Sequence, residues 1–155
     1  MTLADDEVIS HNEFNKYLAM ISGNSVNSAS LFDNISGSTI IDLLELKKQS
    51  WKAYYEAYPG GCSKLNASTS PTGTTYSLAT NPFLAFSTIS SNPTRCKLIT
   101  NDKAFENDVA LNSLPNWIFY VPALENSGAS GPLVAASMWL QGFLEPLRVN
   151  PIFNQ

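Results

Sequence analysis

The chain changes between two hydrophobic periods along its length. Trp117–Val121 is a short, unbroken apolar and aromatic run ended by Pro122, which predicts a strand buried on both faces. Further on, Leu133, Ala136, Trp139, Leu140, Phe143, Leu144 and Leu147 recur at helical spacing and predict a helix that packs back on that strand. Nearer the start, Phe14, Tyr17, Leu18 and Ile21 form one apolar helical face. Ser10-His11-Asn12-Glu13 fits a capping box at its entrance, and Gly23 is a stop. A second helix begins near Ser38 or Thr39, packs through Ile40, Ile41, Leu43, Leu44 and Leu46, and ends at Lys47 and Lys48. Residues 50–58 are aromatic and partly alternating, so a strand is expected there, broken by Pro59-Gly60-Gly61. Residues 24–37 and 65–75 read as loops. Asn81-Pro82-Phe83 opens an irregular segment that ends in a turn at Asn92-Pro93. A short helix over 104–111 is entered through Asn101-Asp102.

The order helix, helix, strand, loop, helix, strand, helix describes part of an α/β layer fold. Two strands leave its sheet incomplete. Open sheets of this kind bind ligands just beyond the carboxyl ends of their strands. The loop 125–130 is therefore where a site belongs, yet it holds one carboxylate and neither His nor Cys.

Composition narrows the function classes. A length of 155 residues makes one domain the default. Charged residues are 14% of the chain, against roughly 25% in an average soluble protein, and Ser, Thr and Asn take up the difference. The net charge of -4, with basic residues scattered, argues against nucleic acid as a partner. No apolar run approaches the roughly 20 residues of a membrane span. The acidic start MTLADDEVIS shows no signal peptide. One His and two separated cysteines make a zinc site unexpected.

Five segments, in order and at consistent spacing, resemble one family. Residues 39–59, TIIDLLELKKQSWKAYYEAYP, look like a "DLL…SW..Y.E..P" unit. Asn81-Pro82-Phe83 with Asn92-Pro93-Thr94-Arg95-Cys96 looks like "NPF…NP.RC". Residues 114–122, LPNWIFYVP, look like an "LP.w.FytP" strand. Trp139-Leu140 and Phe143-Leu144-Glu145-Pro146-Leu147 match the helix that follows. Together they resemble the phosphoesterase family, the acid phosphatases and phospholipase C-type enzymes related to alkaline phosphatase. The resemblance runs from about Ser10 to Phe153. It implies a three-layer alkaline-phosphatase-like α/β core, here a single partial domain over 1–155 with an incomplete sheet. It also implies hydrolysis of phosphate esters with divalent metal ions. The family protein is longer at both ends, so this chain looks like its middle, a reading that leaves room for a truncated gene product.

The inner motifs depart from the family's pattern. Where the family has "THPSxPNY", with a nucleophilic hydroxyl and a nearby Asn, this chain has residues 10–17, SHNEFNKY. Glu13 stands at the hydroxyl's place and Lys16 at the Asn's. The "RKHNP" motif is matched by residues 78–82, LATNP, which puts Thr80 at the His. The "NDGHD" loop is matched by Asn126, Ser127, Gly128, Ala129 and Ser130, so Ser127, Ala129 and Ser130 replace Asp, His and Asp. A two-metal clamp needs several Asp, Glu and His ligands converging on one place. Losing a single oxyanion donor slows such chemistry about 100- to 1000-fold. Losing metal, nucleophile and donors together is expected to leave the chain catalytically impaired, with no cofactor of its own. Glu13 is either a replacement nucleophile or the reach-back member of a capping box with Ser10, and the box explains both residues more simply. His11 and Lys16 have ordinary capping or surface readings beside the functional ones. Residues 127–130 are either a backbone anion nest or a turn.

The resemblance further implies a disulfide between Cys62 and Cys96, the alternative being two buried thiols. Asn34-Ile35-Ser36 and Asn66-Ala67-Ser68 are glycosylation sequons in loop-like stretches. Family relatives are secreted or vacuolar, while no leader is seen in this stretch. The partners expected are a small phosphate ester and, through exposed sheet edges, further copies of the chain.

Overall fold

A computed structural model describes residues 12–25, 28, 30–31, 34–71, 73–129, 131–151 and 153. The elements are α1 (Glu13–Ser22), α2 (Ile40–Leu46), β1 (Trp51–Tyr55), β2 (Ala67–Thr69), β3 (Thr75–Ser77), α3 (Ser87–Ser90), α4 (Pro93–Cys96), β4 (Ile99–Asn101), α5 (Asp102–Ala110), β5 (Trp117–Val121) and α6 (Leu133–Arg148). Two 3-10 turns, Leu78–Thr80 and Pro82–Ala85, join β3 to α3.

The organising element is a parallel three-stranded sheet in the order β4-β1-β5. Trp51 to Tyr55 align with Trp117 to Val121 on one side, and Ala53 to Tyr55 align with Ile99 to Asn101 on the other. Side chains alternate across a strand, so each strand feeds two cores. Trp51, Ala53, Tyr55, Phe119 and Val121 face one core with Phe14, Leu18 and Ile21 of α1, Ile41 of α2 and the turn residues Leu78, Phe83, Leu84 and Phe86. Tyr54, Ile118 and Tyr120 face the other with Phe105 of α5 and Phe143 and Leu147 of α6. Helices thus lie on both faces of a parallel sheet, which is the expected layered α/β arrangement. β2 and β3 form a separate antiparallel hairpin.

Several expectations are corrected. α1 does not start on a Ser10–Glu13 box. Its N-cap is Asn12, whose Oδ1 accepts from the Phe14 N–H at 3.0 Å, and Glu13 is its first residue. Asn caps a helix as well as Ser does. Ser10 and His11 lie outside the described residues. β5 is not buried on both faces: four of its five residues are only half-buried, because it is an outer strand and not a central one. α6 uses a narrower stripe than its pattern suggests. Trp139, Phe143 and Leu147 pack, while Leu133, Leu140 and Leu144 are 78%, 48% and 38% exposed. On α2, Leu43 and Leu46 likewise point outward. The stretch expected as loop over 65–75 holds β2 and the start of β3, and the third strand, β4, lies where the pattern predicts no element. Three residues are too few to display an alternation, and β4 exists because the edge of β1 supplies a ladder, with the Ala53 N–H donating to the Leu98 carbonyl at 2.9 Å.

Candidate functional site at the carboxyl ends of the strands

β1 and β5 end side by side, and the chain leaving each one meets the other. The Glu56 N–H donates to the Val121 carbonyl at 3.1 Å and extends the ladder by one step. The Glu56 carboxylate then collects three donors. Oε2 accepts from the Ala123 N–H at 2.6 Å and from Asn126 Nδ2 at 2.9 Å, and Oε1 accepts from Trp139 Nε1 at 3.2 Å. One side chain beyond the central strand therefore sets both the loop after β5 and the helix after it.

The loop is also tied to the hairpin. The Leu124 N–H donates to the Thr75 carbonyl at 3.0 Å, and the Thr75 N–H donates to Glu125 Oε2 at 2.8 Å. Burial acts to raise the Glu125 pKa, but the hydrogen bonds from Thr75 and from its own backbone N–H together outweigh it and hold this carboxyl below its usual value. Inside the loop, the Asn126 and Ser127 N–H groups both donate to the Ala123 carbonyl at 2.9 Å. Ser127 Oγ donates to the Leu124 carbonyl at 3.0 Å and accepts from the Ala129 N–H at 3.2 Å. Gly128 has φ of +77°, and a Cβ there would stand 3.3 Å from Ala136 Cβ, so the loop lies close on α6 at a residue only glycine suits. Ser130 lies outside the described residues.

The other predicted positions are placed differently. Glu13 and Lys16 are exposed on the first turn of α1. Thr80 is buried in a 3-10 turn, its hydroxyl donating to the Ser77 carbonyl at 2.8 Å. α1 packs against the turns that carry Thr80 and Asn81, so the two matching motifs are neighbours. No described hydrogen bond joins Glu13, Lys16 or Thr80 to Asn126, Ser127 or Ala129. Asn34 and Asn66 are exposed. Cys62 and Cys96 form a disulfide with Cα atoms 5.6 Å apart.

Between these motifs lies a group the pattern of residues did not point to: Tyr17, Tyr55, Tyr58 and Tyr76 with Asn81. Tyr58 and Tyr76 pack with ring centroids 5.0 Å apart, and Asn81 Nδ2 donates to the Tyr76 hydroxyl at 3.1 Å. Burial drives the Tyr55 pKa well up, and the neighbouring Tyr76, Tyr17 and Tyr58 add to it. Burial pushes Tyr58 up to about 12, against the backbone of Ser63. Tyr17 is raised by burial and then by the charge of Glu13. These phenols stay neutral at any ordinary pH and cannot supply a base. The signal for them was the spacing of tyrosines in residues 54–58, which read only as strand aromatics. Glu56 was missed because a single carboxylate after a strand looks like any solvated residue.

Among the described residues, no three His, Cys, Asp or Glu side chains converge on a point that could hold a metal. Glu125 and Asn126, the polar residues retained in the loop, are both engaged within the fold. A hard cation needs several oxygen ligands converging on one point, and the loop by itself carries one carboxylate, Glu125.

Fold and sequence comparison agree on the class. The Phosphoesterase family model matches residues 5–155, and the chain belongs to the phosphoesterase family. It is 32% identical over 162 residues to a "Probable acid phosphatase" of Kluyveromyces lactis, covering all of this chain and 38% of that protein. It is 31% identical to an acid phosphatase of Aspergillus fumigatus, across 75% of this chain and 26% of the relative. A phosphate-repressible acid phosphatase of Penicillium chrysogenum is also 31% identical, across 76% of this chain and 29% of the relative. The chain thus spans well under half the length of these relatives.

Proposed function

We propose that this chain is a segment of a phosphate-ester hydrolase framework whose own residues do not carry the hydrolysis. Family membership supports the phosphate-ester part. The observation behind the second part is that no three His, Cys, Asp or Glu side chains converge among the described residues, while Glu125 Oε2, Asn126 Nδ2 and Ser127 Oγ of the loop after β5 are engaged in internal hydrogen bonds. A metal ligand or oxyanion donor must keep a lone pair or an N–H free to meet the reacting group. Thr80 and Glu13 do not repair this. The first is buried on the Ser77 carbonyl, and the second stands exposed on the first turn of α1, with no described hydrogen bond to the loop after β5. In this reading the chain holds no divalent ion of its own, and Asn34 and Asn66 are glycosylated wherever the chain enters a secretory route.

A phosphatase assay with p-nitrophenyl phosphate, with and without magnesium, manganese or zinc, tests it. The expected rate is that of the buffer. A metal-dependent rate lost in Glu13→Gln combined with Lys16→Ala would reverse the reading. A rate that survives those changes would place a working site elsewhere in the chain. A second reading, a non-catalytic interaction protein, is favoured by α6, which exposes Leu133, Val134 and Met138 at 69% to 78%.

A further inference from the structure

On the far side of the sheet from α1, a cleft of about 560 Å³ opens between α5 and α6 over β5. Its wall is aromatic. The Tyr120 and Phe143 rings lie 4.5 Å apart between centroids, and Trp139 and Phe105 stack on Phe143 at 5.0 Å and 5.4 Å. Its rim is acidic, with Glu56, Asp102 and Glu106, and no Lys, Arg or His lines it.

The three carboxylates bear on one place. Burial first, and then the charges of Glu56, Asp102 and Glu106, drive the Tyr120 pKa far above its ordinary value. Asp102 and Glu106 sit four residues apart on one helix, a spacing at which like charges oppose the helix that carries them. Asp102 in the first turn has the helix dipole as compensation. Glu106, a full turn further in, does not. Lys103 reaches Glu106 at 3.3 Å, but both are largely exposed, at 75% and 65%, where such a pair is worth little. Glu56 is spent on three donors, whereas the Asp102 carboxylate meets none among the described residues.

We propose that this cleft binds an organic ammonium cation, its alkylated head group against the Trp139 and Tyr120 rings and its charge balanced by Asp102 and Glu106. Ring faces attract cations through their quadrupole, Trp most strongly. The preference for an alkylated cation follows from the wall. A divalent metal ion calls for several acidic or imidazole ligands converging on one point, and no three such side chains do so among the described residues. A weakly hydrated ammonium needs only charge and apolar contact. The proposal does not rest on the phosphate-ester reading, and either can fail alone.

The test is a titration of the full chain with tetramethylammonium chloride, followed by NMR at the Trp139 indole N–H and the Tyr120 ring. Potassium chloride at equal ionic strength and neopentyl alcohol, a neutral molecule of the same shape, serve as controls. The expected result is a saturable shift at Trp139 and Tyr120, absent at Trp51 and Trp117 and absent with either control. Asp102→Asn with Glu106→Gln should weaken binding about tenfold. Glu106→Gln alone, at an exposed position that does not threaten folding, should weaken it about threefold. A response that never saturates, an equal response to potassium chloride, or unchanged affinity in Glu106→Gln and in the double variant would each overturn the proposal.

Discussion

Asp108 shows how much a single residue of this chain can gather. Its Oδ2 accepts from Lys52 Nζ at 2.5 Å and from the Tyr54 hydroxyl at 2.6 Å, and its Oδ1 accepts from Ser113 Oγ at 3.2 Å. Burial acts to raise its pKa, but the bonds from Lys52 and Tyr54 and the Lys52 charge together outweigh it, so the carboxyl is held below its ordinary value. A pKa depressed by folding contributes stability that is complete above the ordinary carboxylate value of about 3.9, and is lost as pH falls through that value toward the folded one. Asp108→Asn should therefore lose about 1 to 3 kcal/mol at neutral pH, since it leaves the Lys52 ammonium and the Tyr54 hydroxyl poorly matched. Its stability should also fall less steeply on acidification. Urea midpoints measured from neutral to acid pH check both parts, and two parallel curves would refute the assignment. An Asp near the end of a helix gave no sign of this in the chain's pattern. Its partners Lys52 and Tyr54 are more than fifty residues away, and only strand–helix packing brings them together.

At the scale of elements, the disulfide closes the longest excursion of the chain. Cys62 and Cys96 are separated by 34 residues, and the bond ties the turn after β1 to the end of α4, just before β4. Arg95 adds a second tie, with Nη2 2.7 Å from both Asp42 and Glu45 of α2. β4 is a three-residue strand on the edge of β1 and depends on such anchors to hold its register. Removing the crosslink with Cys62→Ser and Cys96→Ser should lower stability by about 3 to 4 kcal/mol on the chain-entropy estimate. Guanidinium unfolding of the oxidised protein and the double variant measures this. A difference near zero would mean that α2 and Arg95 hold the segment unaided. The pairing was readable from the family resemblance, whereas β4 was not readable at all.

At the scale of the molecule, the sheet presents two outer strands. The far sides of β4 and β5 have no strand beside them among the described residues. Nor is any described helix long and apolar enough to cross a membrane. Unpaired strand edges are templates for association, and the outward residues of α6 add apolar surface beside β5. The expected outcome is concentration-dependent association in light scattering, reduced by Leu140→Glu on the outer face of α6. A monodisperse monomer across the whole concentration range would contradict it.

By its own periodicities the chain determined which of its longer segments are helix and which are strand, though not the short helices α3 and α4. Trp117–Val121 was readable to the residue, because five consecutive apolar residues closed by a proline leave little alternative. It also fixed which residues stand at Glu13, Lys16, Thr80, Ser127, Ala129 and Ser130, since identity at a position needs no coordinates. Tertiary structure alone decided the rest. It turned Glu56 from a solvated residue into the clasp of the loop after β5, placed three carboxylates around the Tyr120 ring, and seated Ile99–Asn101 against the edge of β1. Each of these depends on groups distant in sequence, whose energies of desolvation, pairing and ladder formation exist only once the layers have met.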